Sequence, residues 1–167
     1  MPAPDQADDL PSGRFSGPVE FRSLIGMAVA AAAREGWREM VWSDADFADW
    51  PLQERELVEQ LDQWSRQGRR LIMIAHHYDS VVRLKAKFVN WRIRWDHIIE
   101  CRVCKNLVAD EFPSIFWSPV WFAHRINTQR SSGVSGVDLA RRGLIRSQLD
   151  ECYRQSTAGF PASTLGL

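Results

Sequence analysis

The alternation of apolar and polar residues divides the chain into helical and extended segments. From Pro18, a residue suited to the first position of a helix, Phe21, Leu24, Ile25, Ala28 and Ala32 recur on one face until Gly36. Met40-Val41-Trp42 reads as a short buried strand that runs into a loop carrying Asp44, Asp46 and Asp49. Pro51 opens a second helix, with Leu57, Leu61 and Trp64 as its inner stripe, and Gly68 closes it. The unbroken apolar run Leu71 to Ala75 has the pattern of a parallel strand covered on both faces. His76, His77, Tyr78 and Asp79 follow at its carboxyl end. A third helix is predicted from about Ser80 to Arg94, burying Val81 or Val82, Phe88 and Trp91, and a third strand over 98–104.

Beyond Cys104 the punctuation changes. Phe112-Pro113 and Ser118-Pro119 break the chain around two short strands, 115–117 and 120–126. Residues 127–136 read as a polar loop. A last helix from about Val137 to Tyr153 turns Leu144 or Ile145, Leu149 and Cys152 inward. This order predicts a three-layer α/β/α sandwich with a mostly parallel sheet. It divides into a loose acidic leader (1–17), one α/β domain (18–155) and a C-terminal tail docked on it (156–167). Ligands of such sheets gather at the carboxyl ends of strands. That rule directs attention to Asp44, Asp46, His76, His77 and the loop after His124.

With 167 residues, 45% hydrophobic and 25% charged, the chain has the make-up of a single globular domain, not a disordered or disulfide-built one. Its formal net charge is zero, so no overall basic field points to nucleic acid, which is expected to be an unlikely partner. The balance conceals an asymmetry. Residues 1–62 carry five basic and thirteen acidic side chains, and residues 63–167 carry sixteen and eight. The stretch 66–94 is densest, with eight Lys or Arg against Asp79 alone. Oppositely charged halves attract within a fold or between subunits, or steer an anionic ligand. Arg69, Arg70, Arg125 and Arg130 are the candidates to hold phosphate. Eight Trp and eight Phe exceed what a core of this size needs, and predict an aromatic interface in a homodimer. Three cysteines without disulfide spacing read as reduced thiols, and the polar N-terminus has no signal-peptide core. Residues 27–33 are too short an apolar run to cross a bilayer, so a cytoplasmic protein is expected.

Chemistry-bearing clusters are few. His76 and His77 with Asp79 could supply a base and its orienting carboxylate, or simply cap the helix that follows. Asp44, Asp46 and Asp49 could hold Mg²⁺ through one or two carboxylates, or favour the next helix dipole. Cys101-x-x-Cys104 has zinc-ligand spacing, but on a strand residues three apart face opposite sides, so no metal is expected. The segment FVNWRIRW suggests base stacking, yet at helical spacing Trp91, Trp95 and Phe88 form a core or interface stripe. There is no Gly-rich phosphate loop and no Ser-His-Asp signature. No cofactor is implied, and the reading leans away from an enzyme.

Three stretches, MVWSDADF, WSRQGRRLIMIAHHYD and VWFAHRI, together with the element order, resemble one repeat of the phospholipase D-like superfamily. That resemblance implies a half-domain whose histidine strand would centre on His124. Members of that superfamily use His-x-Lys-x4-Asp. Starting from His124, the Lys position holds Ile126 and the Asp position Ser131. An apolar Ile126 cannot grip a phosphoryl oxygen. The expectation is therefore a non-catalytic scaffold of degenerate phospholipase D-like build that acts by association as a homodimer. The alternative is a binder or hydrolase of phosphorylated ligands or nucleic acid, using the basic face and the strand-end histidines.

Overall fold

The computed structural model describes residues 9–67 and 69–161. Eight strands form one sheet: β1 (Gly13–Phe15), β2 (Glu39–Asp44), β3 (Arg70–Ala75), β4 (Ile99–Val103), β5 (Ser114–Trp117), β6 (Phe122–Asn127), β7 (Ser132–Gly136) and β8 (Thr157–Ala158). The helices are α1 (Pro18–Glu35), α2 (Arg55–Ser65), α3 (Asp79–Leu84), α4 (Ala86–Arg94) and α5 (Leu139–Arg154). Across the sheet the order is β1-β7-β6-β5-β2-β3-β4-β8. Only β2 with β3 and β3 with β4 pair in parallel. The other five pairings are antiparallel. The sheet is therefore mixed and mostly antiparallel, which corrects the mostly parallel sheet expected from the helix–strand alternation. That alternation stops at β4. Beyond it, tight turns join β5, β6 and β7, and a short turn can only reverse a strand, because a parallel return needs a crossover of a dozen residues or more.

Each strand of the central sheet feeds two cores. Met40, Trp42, Leu71, Met73 and Phe116 meet α1, α2 and α4 on one face. Val41, Ile72, Ile74, Ile115 and Trp117 meet α5 on the other. Period-two side-chain direction makes this division automatic. Leu57, Leu61 and Trp64 face inward from α2, as their spacing predicts. Gly36 ends α1 in the left-handed conformation at φ 71°, and its N–H donates to Ala32 O.

Several boundaries differ from the sequence reading. Gly13–Phe15, expected in a leader, pair with β7, and Leu10 and Phe15 are buried. Residues 132–136, expected as loop, form β7, because Ser and Gly lower strand propensity without preventing pairing once β6 and β1 flank them. The third helix breaks at Lys85 into α3 and α4. Helix α2 starts at Arg55, and Pro51 and Leu52 are buried in the loop before it. In the tail, Thr157–Ala158 pair with β4 and Phe160 is buried. The leader's residues 1–8, the helix stop at Gly68 and the tail beyond 161 lie outside the described residues.

All eight Phe and seven of the eight Trp are buried, and Trp95 packs against the core half-buried. Trp42 and Trp50 stand 5.6 Å apart, and each also contacts Phe116. The aromatic surplus therefore lies inside the fold, so the argument for an aromatic dimer interface loses its premise. No described helix is long and apolar enough to cross a membrane.

Candidate functional site

The carboxyl edge of β2 is occupied by a closed ion-pair network. Asp44 ends β2 on the α1 face, and register places Arg125 of β6 at the same level, two strands away. Arg125 Nη2 donates to Asp44 Oδ1 at 2.9 Å and Nη1 to Asp49 Oδ2 at 2.9 Å. Its Nε donates to Ser114 Oγ and Nη1 also to Ser131 Oγ, while the guanidinium lies 4.4 Å from the Phe21 ring centre. Asp44 Oδ2 accepts the N–H of Phe47 at 2.8 Å, which holds that residue at φ 58°. The side chains of Arg125 and Asp44 are 2% and 3% exposed. Buried and saturated by carboxylates, Arg125 has no face left for phosphate. Two of the three loop aspartates are committed to the same cation. Ser131 stands where the resemblance would put an aspartate, and there it is a partner of Arg125.

The histidines do not converge. His76 and His77 leave β3 with both backbone N–H groups donating to Ala45 O, and each Nδ1 is buried with no hydrogen-bond partner among the described residues. His77 Nδ1 is 3.8 Å from Asp79, whose carboxylate is exposed. His124 is level with Ile115, Ser43 and Ile74. Three strand spacings, roughly 14 Å, separate it from His76. Burial, and then the charge of Arg141, hold His124 below its ordinary pKa. Arg69 and Arg70 stand at the opposite end of the strands from Arg125, five residues or roughly 17 Å away. Arg70 donates to Glu100 at 2.9 Å and Arg69 to Gln67. Arg130 is exposed in the turn between β6 and β7.

Half of the basic residues in the stretch 66–94 are paired with carboxylates. Arg66 and Arg94 both reach Asp62, Arg70 reaches Glu100, and buried Arg92 pairs with Asp96 and donates to Phe160 O. Cys101 and Cys104 belong to opposite cores, and burial pushes the Cys101 thiol up to about 12.

A different basic surface emerges from topology. Eight strands at the usual spacing span roughly 34 Å between outer strand axes, and one helix is about 10 Å wide. Among the described helices α5 stands alone on its face of the sheet, tied to β5 by Trp117 Nε1 donating to Arg142 O and to β2 by Arg146 donating to Glu39. Beyond Phe122, which is buried in the α5 core, and Val134, which packs against it, no described helix covers the β6, β7 and β1 part of that face. There Arg14, Val134 and His124 form one row across three strands, since Arg14 and His124 both pair with Val134. Arg130 extends the surface at the turn and Arg141 at the start of α5. Arg14, Arg130 and Arg141 have no carboxylate partner among the described residues. From Phe112 to Val137 the sequence holds no Asp or Glu at all. That gap is the signal a whole-chain charge count hides, and it corrects the expectation that zero net charge makes nucleic acid an unlikely partner.

No protein-family model matches the sequence, and no curated protein matches it. Among solved structures, the fold is similar to that of TrmBL2, an archaeal chromatin protein whose structure shows a novel mode of DNA binding. The likeness covers 89% of this chain and 54% of that chain, at a TM-score of 0.62 and 11% identity. The chain thus spans about half the length of the protein it matches. This likeness, with the mostly antiparallel sheet, replaces the phospholipase D-like resemblance and the degenerate half-domain it implied.

Proposed function

We propose that this chain is a DNA-binding α/β domain of the cell interior, holding the phosphate backbone on the face of β6, β7 and β1 that no described helix covers. The observation that carries the reading is the row through Arg14, flanked by Arg130 and Arg141, three guanidiniums without a carboxylate partner among the described residues. Phosphate contacts supply most of the affinity of sequence-independent binding, and Arg is suited to grip phosphate with two parallel donors. Ser132 and Asn127, which pair with each other, add neutral polar groups at the end of the same strands. The fold shared with a chromatin protein that binds DNA supports the reading. It takes the place of a homodimeric, non-catalytic scaffold for which nucleic acid is an unlikely partner.

Fluorescence anisotropy with a labelled duplex at several salt concentrations tests the proposal. Three phosphates neutralised by Arg14, Arg130 and Arg141 give a slope of log K on log salt of about −3. Replacing all three by Ser abolishes the slope and the binding. Binding that survives the triple replacement, or that ignores salt, overturns the reading.

A further inference from the structure

The other side of α5 has the opposite character. Between α5 and the β2–β3 part of the sheet lies a cleft of about 160 Å³. Its floor is aliphatic, made by Val41, Ile72, Ile74 and Leu149. Arg70 and Arg146 line it, with Asp150 as the one carboxylate lining it. Both guanidiniums are anchored. Arg146 Nε donates to Asp150 at 2.9 Å and Nη1 to Glu39 at 2.7 Å, with its guanidinium 4.6 Å from the Trp117 ring centre. Arg70 Nη2 donates to Glu100 at 2.9 Å, and the Tyr153 hydroxyl donates to the other oxygen of Glu100. Among the described residues nothing accepts from Arg146 Nη2 or from Arg70 Nε and Nη1.

We propose that this cleft binds a small organic carboxylate with a compact apolar body. A cavity of about 150 Å³ lined by aliphatic residues holds a benzene-sized molecule, so the floor fits a body of about six carbons. The head is read from the guanidinium N–H groups that Asp150, Glu39 and Glu100 leave free, which match the oxygens of a carboxylate. Ion pairs that already fix each guanidinium leave little side-chain entropy to lose on binding. The site is independent of the DNA-facing surface, because α5 stands between them.

Benzoate, benzamide and benzylamine are the probes, titrated against the full chain by calorimetry and ligand-observed NMR. Benzoate is expected to bind, with benzamide and benzylamine at least about tenfold weaker, the difference a charge-assisted pair makes. Arg146→Met, which keeps the apolar stem, lowers benzoate affinity by about tenfold or more. Arg70→Gln, at an exposed strand start, serves if Arg146→Met does not fold. Ile72→Phe fills the floor while leaving both guanidiniums, and abolishes binding. No benzoate binding, equal binding of benzamide, or binding unchanged by Ile72→Phe would overturn the proposal. Duplex binding is unaffected by any of these substitutions, so failure here leaves the DNA reading standing.

Discussion

One sheet contains two halves built on different terms. In the parallel half, β3 is buried on both faces, with every residue from Leu71 to Ala75 at 6% exposure or less. In the antiparallel half, Phe122, Ala123 and Arg125 are buried while His124 is half-exposed and Ile126 is 64% exposed. The first half has helices on both sides, and the second has α1 on one side and only the edge of the α5 core, which buries Phe122, on the other. A face without a covering helix must stay polar or find a partner. In this protein it carries Arg14, flanked by Arg130 and Arg141, with Glu20 and Asp138 as the nearby carboxylates. The contrast teaches that the ends of the parallel strands, where ligands of parallel sheets gather, are here occupied by an internal network, and the available surface lies on the antiparallel flank.

The largest effect is expected where the two halves are tied together. Arg125→Ala removes the cation between Asp44 of β2 and Asp49, leaving a buried carboxylate unpaired. Urea unfolding should register a loss of about 3–5 kcal/mol. A loss below about 1 kcal/mol would mean that the halves are joined by packing alone. Next is the cover of the parallel half. Leu61 is fully buried, and Leu61→Ala should cost about 2–5 kcal/mol by the same measurement.

The antiparallel half is expected to be most sensitive at its backbone. A Cβ on Gly133 would lie 1.9 Å from His124 O, a backbone atom that cannot swing away. Gly133→Ala should cost about 1–3 kcal/mol and open the β6–β7 pairing to hydrogen exchange. Little change would show that this edge already yields. On the uncovered face, by contrast, Arg14→Ser and Arg130→Ser should change stability by less than about 0.5 kcal/mol. Each should nonetheless reduce the salt slope of duplex binding by about 1.

The smallest effect is a pH dependence. The fold favours neutral His124, first through burial and then through Arg141. The native state then binds fewer protons than the unfolded chain. His124's contribution is fully present above its ordinary value of 6.5 and is lost as pH falls through the depressed folded value. Unfolding curves at about pH 7 and about pH 5 should differ more for the parent than for His124→Asn. Equal differences would place the titration elsewhere.

Local patterning determined much of the parallel half. The continuous run Leu71–Ala75, the stripe Leu57, Leu61, Trp64 and the stop at Gly36 are encoded by residues within a few positions of one another, and the structure uses them as read. The flank was less legible. β7 has only Val134 as an apolar residue among Ser and Gly, and β1 is three residues long, so neither carries a periodicity of its own. Their pairing depends on β6, which is far from β1 in sequence. Tertiary structure alone decided the fate of the arginines. Arg125 and Arg130 are five residues apart and look alike in a charge count, yet one is sealed between Asp44, Asp49 and Phe21 and the other faces solvent. Long-range register chose between them, because a charge is committed or available only according to what the fold brings within about 3 Å of it.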